Sequence, residues 1–157
     1  MLRAAFIALS ENRSLRHLAE SSSIGHRVSE RFVAGTTVDD ALRATEETNA
    51  LGMSVSIDNL GENVTNADEA RQSAQLYHEL LDRITERRLD ANVSLKLTHM
   101  GFDVDQRLAT DIVSGLVQRA REKRNFVRVD MEGSPYTQRT LDVIQASDEG
   151  RAWALQR

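Results

Sequence analysis

The sequence predicts an α/β protein in which N-terminal helices lead into three successive strand–helix units. Three observations carry this expectation. After Gly52, short β-branched runs alternate with long amphipathic stretches. Each run is followed by a loop with a helix-start signal and not by a hairpin turn. A repeated strand–helix succession then calls for parallel strands joined by right-handed crossovers. Two architectures fit: an open doubly wound sheet and a section of a (βα)8 barrel. A whole barrel takes about 200 residues or more, so a chain of 157 holds only part of one.

Taken in order, Leu2, Phe6, Leu9, Leu15 and Leu18 recur at roughly helical spacing until Ser21-Ser22-Ser23 and Gly25 break the run. A second short helix is expected from Gly25 to Val33. Thr37-Val38-Asp39-Asp40 reads as a helix start with an acidic first turn, and the helix Val38 to Ala50 closes at Gly52. Met53 to Asp58 alternates with period two and is the first strand. Overlapping capping signals at Thr65 to Glu69 open a helix that turns Ala70, Tyr77, Leu80, Leu81 and Ile84 inward. Val93 to Leu97 is the second strand. The helix Asp103 to Glu122 follows, with Leu108, Ile112, Leu116 and Ala120 inward. Phe126 to Asp130 is the third strand. Ser134-Pro135 places an N-cap before a proline at the first helical position, opening a helix through Leu141 and Ile144. From Gly150 to Arg157 no strand pattern is legible, and the lone Trp153 reads as incidental.

Composition narrows the function classes. A net charge of −4 argues against a nucleic-acid partner, which calls for a basic stripe. The absence of cysteine removes disulfides, thiolate catalysis and zinc–thiolate sites. The apolar run Ala4 to Leu9 is too short for a signal peptide or a membrane span, so the expected location is cytoplasmic. The histidines His17, His26, His78 and His99 show no ligand spacing, so no metal is expected; His99, in the loop after the second strand, could reach the mouth but reads first as a surface residue. Arg87-Arg88 and the cluster Arg119, Arg121, Lys123 and Arg124 read as solvated helix ends. Gly61 and Gly101 belong to no phosphate-binding glycine pattern.

The residues that suggest chemistry stand at the strand ends. Asp58 ends the first strand, Lys96 lies near the end of the second and Asp130 ends the third. Ligands of parallel α/β folds bind at that end of the sheet. Any one of these charges could simply be solvated, or Lys96 could prop the rim by pairing with an aspartate. Lys96 stands out because it lies between Leu95 and Leu97 and because Lys123 is the chain's other lysine. On the residues alone, Lys96 also suits a Schiff-base, aldolase-type barrel. A half-barrel binding or assembly module that completes itself by dimerising is the non-enzymatic alternative.

Four motifs follow in order: Phe32 to Thr37 (FVAGTT), Ser56 to Glu62 (SIDNLGE), Val93 to Thr98 (VSLKLT) and Val127 to Glu132 (VRVDME). Their succession and spacing, over roughly residues 30 to 145, resembles the proline dehydrogenase family. The resemblance implies a distorted (βα)8 barrel holding non-covalent FAD, oxidising L-proline and passing electrons to a membrane quinone from the cytoplasm or from the inner membrane face. It implies Lys96 on the substrate carboxylate, Asp130 as the strand-three active-site carboxylate, and Met131 touching the flavin through its backbone. Asp58 and Glu62 would support the barrel mouth, Glu62 by pairing with an arginine from a late helix. On this basis residues 1–52 form a helical segment, 53–148 the first three βα units of an incomplete barrel, and 149–157 a divergent tail. The segments for the later strands and the last helix are absent, so the chain is expected to be a truncated and inactive portion. After Gln145 the resemblance is expected to end.

Overall fold

The computed structural model of the chain describes residues 33–61, 64–146 and 153–156. The helices expected before residue 33, and Glu62, lie outside the described residues. The chain falls into two units, Met1–Ala41 and Leu42–Arg157.

Within the described part of the first unit, Thr37 and Asp40 form a reciprocal cap. The Asp40 amide donates to Thr37 Oγ1 at 3.2 Å, and the Asp40 carboxylate accepts from the Thr37 amide at 3.3 Å and its hydroxyl at 2.7 Å. Gly35 is required just before this cap. Its φ is +141°, and a Cβ there would lie 2.2 Å from Asp40 Cβ. The cap starts helix α1 (Val38–Ala50), which ends with Gly52 in the left-handed region at φ 78°, as the sequence predicts.

The second unit is built on a four-stranded parallel sheet in the order β1 (Val55–Asp58), β2 (Ala91–Leu95), β3 (Val127–Asp130) and β4 (Trp153–Gln156). Crossover helices α2 (Ala67–Glu86), α3 (Gln106–Glu122) and α4 (Thr137–Ala146) intervene. Both long helices start at side-chain caps. Asn66 accepts from the amides of Asp68 and Glu69, and Glu69 answers by accepting from the Thr65 amide at 2.8 Å. Asp105 accepts from the amides of Arg107 and Leu108.

Alternation along the strands separates two faces. Ile57, Val93, Leu95, Val127 and Val129 are all buried on the face covered by α2 and α3, where Leu80, Leu81, Ile84, Val113, Leu116 and Val117 complete the core. Ser56, Asp58, Asn92, Ser94, Arg128 and Asp130 alternate with them on the opposite, inner face. A parallel sheet apolar on both faces would read as continuous hydrophobic runs. Here the inner face is polar and satisfied across strands: Ser56 Oγ donates to Asn92 Oδ1 at 2.8 Å.

Several sequence expectations shift. Strand β2 starts at Ala91 and ends at Leu95, because the polar Asn92 that breaks the apolar pattern is an inner-face strand residue. In α3 the buried stripe is Ala109, Val113, Leu116, Val117 and Ala120, so Leu108 and Ile112 lie at its margin. Ser134 is not the cap of a long helix. Ser134–Tyr136 forms a 3-10 turn after Gly133, and α4 begins at Thr137. The tail contains β4, paired in parallel with β3 from Val127↔Trp153 to Asp130↔Gln156, so Trp153 belongs to the sheet. Four residues are too few for a period-two pattern to stand out.

The basic helix ends are also less solvated than expected. Arg119 and Lys123 both reach Asp82, at 2.7 and 3.1 Å, and hold its carboxyl below the usual range. Arg87 crosses to Glu46 of α1 at 3.0 Å.

Candidate active site

The carboxyl ends of β1, β2 and β3 form one rim. Asp58 is the last residue of β1 and pairs in register with Ser94. Leu95↔Val129 is the final β2–β3 pair, and Lys96 and Asp130 are the next residues on the two strands. Ser94 therefore stands between two carboxylates, and its hydroxyl donates to Asp130 Oδ1 at 2.5 Å. Asp58 feels both neighbours. Burial raises its carboxyl above the ordinary Asp value, a hydrogen bond from Tyr77 opposes that, the Asp130 charge adds to it and the Lys96 charge offsets it. The three strand-end charges expected from the sequence are thus brought together, with Lys96 just past its strand and not within it.

The loops behind the rim are fixed by buried polar contacts. Glu132, two residues beyond Asp130, accepts from the Thr98 amide at 3.1 Å and also from the Thr98 hydroxyl. Thr98 opens the 3-10 turn Thr98–Met100 directly after Lys96 and Leu97, so this clamp ties the β2 loop to the β3 loop. Met131, between Asp130 and Glu132, is half-buried.

His99 is buried at 7% exposure, which corrects its reading as a surface histidine. Its Nε2 lies 2.9 Å from Ser73 Oγ of α2. The same edge of the ring lies against Gly61, where a Cβ would come within 2.6 Å of both Cε1 and Nε2. Gly61 in the Leu60-Gly61-Glu62 motif is therefore needed for space: it lets the β1 loop lie against a histidine of the β2 loop.

Tyr77 completes the set from α2. It is fully buried, donates to Asp58 Oδ1 at 3.1 Å, and accepts from the Asn59 amide at 3.2 Å. Burial first, and then the Asp58 charge, push its phenol far above the ordinary tyrosine value. Farther out, Tyr136 donates to Asp103 Oδ2 at 2.6 Å, and the Arg139 guanidinium lies 4.3 Å from the centre of the Phe102 ring.

Sequence reasoning missed Ser94 and Tyr77 and ranked His99 first as a surface residue. Tyr77 was legible only as a core position at helical spacing, and Ser94 only as a small polar residue between valine and leucine. The i, i+2 spacing of Asp130 and Glu132 signals two carboxylates leaving one strand end, but not what Glu132 holds. Among the described residues no group of three His, Asp or Glu side chains is arranged to hold a metal.

This rim acquires its context from known proteins. A family profile described as "Proline dehydrogenase" matches residues 41–154, running past Gln145, where the likeness was expected to end. Proline dehydrogenase 1 of Bacillus subtilis subsp. natto is 34% identical over 147 residues, covering 92% of this chain and 48% of the relative. Proline dehydrogenase 2 of Bacillus subtilis strain 168 is 30% identical over 144 residues, with 91% and 47% coverage. The chain thus spans about half the length of these curated relatives. Among solved structures, proline utilization A from Bdellovibrio bacteriovorus, inactivated by N-propargylglycine, superposes with a TM-score of 0.74 at 20% identity. That match covers 83% of this chain and 17% of the larger one, and it shows the shared fold, a barrel of which this chain forms an incomplete part. With a family profile over residues 41–154 and relatives alike along nine-tenths of its length, the chain belongs to the proline dehydrogenase family.

Proposed function

We propose that this chain carries one wall of a flavin-dependent site that oxidises L-proline to Δ1-pyrroline-5-carboxylate. One observation carries the reading: Lys96 stands at the carboxyl ends of adjacent parallel strands, in electrostatic reach of Asp58 and next along the strands to Asp130, above a polar inner face. A substrate carboxylate needs a fixed positive charge, and a rim shielded from bulk water strengthens that attraction.

In this reading Lys96 binds the proline carboxylate. Asp130, held by Ser94, orients donor groups around the substrate, and Asp58 supports the mouth together with Glu62. The described residues fit one wall of an FAD site. Met131 follows the last β3–β4 pair, Asp130↔Gln156, so its backbone lies past the sheet ladder, where it would touch the flavin. When bound, FAD supplies the redox chemistry, accepting a hydride from the ring carbon beside the proline nitrogen and passing the electrons on to a membrane quinone. The protein's own task is to bind, to orient and to exclude water.

No helix among the described residues is long and apolar enough to cross a membrane; in this reading the quinone is met from the cytoplasmic side. Four strands leave β1 and β4 as outer edges among the described residues, and by themselves they do not enclose a substrate. The 157-residue chain alone is therefore inactive in this reading.

The test is a chimera in which residues 41–154 replace the matching segment of Bacillus subtilis proline dehydrogenase 1. Anaerobic L-proline should bleach its bound flavin, and Lys96→Met should abolish the bleaching. A folded, FAD-loaded chimera that proline leaves unchanged refutes the reading. Proline-dependent dye reduction by the isolated chain refutes its inactivity.

A further inference from the structure

Tyr77 lies in the middle of α2, on the same helix face as Leu80, Leu81 and Ile84, and is entirely buried. Its ring belongs in that core, and phenylalanine would fill the same space. Its hydroxyl is different, because a buried phenol oxygen needs partners. It has two, both at the point where β1 becomes loop. It donates to Asp58 Oδ1 at 3.1 Å and accepts from the Asn59 amide at 3.2 Å. One oxygen thus fixes a side chain and the main chain of the next residue.

The other influences on Asp58 come from neighbouring strands: Lys96 after β2 favours its charge, and Asp130 of β3 opposes it. Burial opposes it as well, leaving the Tyr77 hydroxyl as the strongest influence keeping the carboxyl ionised.

We propose that Tyr77 is the positioning residue of the rim, its hydroxyl anchoring the Asp58 carboxylate and the Asn59 backbone so that the β1 carboxylate meets Lys96 in a fixed geometry. The importance of Asp58 to substrate rests on the function proposed above. The anchoring itself does not, and it can be measured without substrate.

The experiment is an NMR titration of the aspartate carboxyl carbons in the full 157-residue chain and in Tyr77→Phe, with amide exchange recorded in parallel. Loss of the hydroxyl should move the Asp58 midpoint to higher pH. The Asn59 amide should exchange about five- to tenfold faster, as expected for one lost hydrogen bond. An unchanged Asp58 midpoint in a folded Tyr77→Phe chain overturns the proposal. If that variant does not fold, 3-fluorotyrosine in place of tyrosine keeps the ring and makes the phenol a stronger donor. The Asp58 midpoint should then fall, and an unmoved midpoint overturns the proposal equally. The chimera described above examines the substrate reading separately, and its outcome leaves the titration result standing.

Discussion

Gly61→Ala tests whether the rim loops are locked by packing. No positive φ is required at Gly61, so the backbone can accept a side chain and only space is lacking. The new Cβ would sit 2.6 Å from two atoms of the His99 ring. The ring cannot step aside cheaply, because His99 is 7% exposed and its Nε2 is held 2.9 Å from Ser73 Oγ. Overpacking a closed site costs about 1–3 kcal/mol. Losing the Ser73 hydrogen bond adds about 0.5–1.5 kcal/mol. Their sum places the expected destabilisation at about 1.5–4.5 kcal/mol. Urea unfolding followed by circular dichroism measures it, with the m-value showing whether the unfolding transition itself has changed. A double-mutant cycle sharpens the test. Ser73→Ala should cost about 1 kcal/mol in the native chain and almost nothing once the methyl of Gly61→Ala has displaced the ring, a coupling of about 1 kcal/mol. A Gly61→Ala cost below about 0.5 kcal/mol, or fully additive substitutions, would refute the packing account.

Other substitutions address separate contacts. Thr98→Val should remove the hydroxyl half of the Glu132 clamp and cost about 1.5–3 kcal/mol in urea unfolding, because the acceptor is a carboxylate left half-buried. Arg88 and Arg124 occupy the left-handed region at φ 55° and 56°, at matching places after α2 and α3, so Arg88→Gly and Arg124→Gly should each raise stability by about 0.5–1 kcal/mol. Asp58 has a folded-state value above the ordinary 3.8, so its contribution to stability is fully present below 3.8 and is lost as pH rises through the folded value. Asp58→Asn, which keeps an acceptor for Tyr77, should therefore gain stability relative to the native chain at neutral pH and lose that advantage in acid, as thermal melts from about pH 3 to 8 would show. Tyr77→Phe should shift Asp58 in the direction described above.

Much of this was legible where one force acts alone. The cap at Thr37, the stop at Gly52 and the inward stripe Ala70, Tyr77, Leu80, Leu81 and Ile84 follow from local hydrogen bonding and helical period, and the structure keeps them. The strand ends were legible because alternating valine and isoleucine mark one buried face, and Asp58 and Asp130 end two such runs. What was hidden depends on contacts between distant segments. Asn92 looks like a strand breaker until Ser56 faces it across 36 residues. His99 looks solvated until Gly61 and Ser73 close over it. The stripe of α3 was misjudged by one position, since leucine and isoleucine at 108 and 112 outweigh alanine and valine at 109 and 113 by size but lie at its edge.

The same short strands serve two opposed requirements, and period two is what lets them. Residues 57, 93, 95, 127 and 129 give their side chains to the helix layer, where burial of apolar surface, at about 25 cal/mol per Å², holds the sheet. Residues 58, 94 and 130 give theirs to the opposite face, where burial costs free energy unless each charge finds a partner. Ser94 for Asp130 and Tyr77 for Asp58 are those partners, and neither carries a formal charge. A neutral donor orients a carboxylate without neutralising it, so the rim holds two acidic groups beside Lys96 in fixed positions. An arginine in either place would hold the carboxylate more tightly but would add a competing cation at the mouth. Hydroxyl partners on buried positions therefore reconcile a stable sheet with a rim of fixed charges.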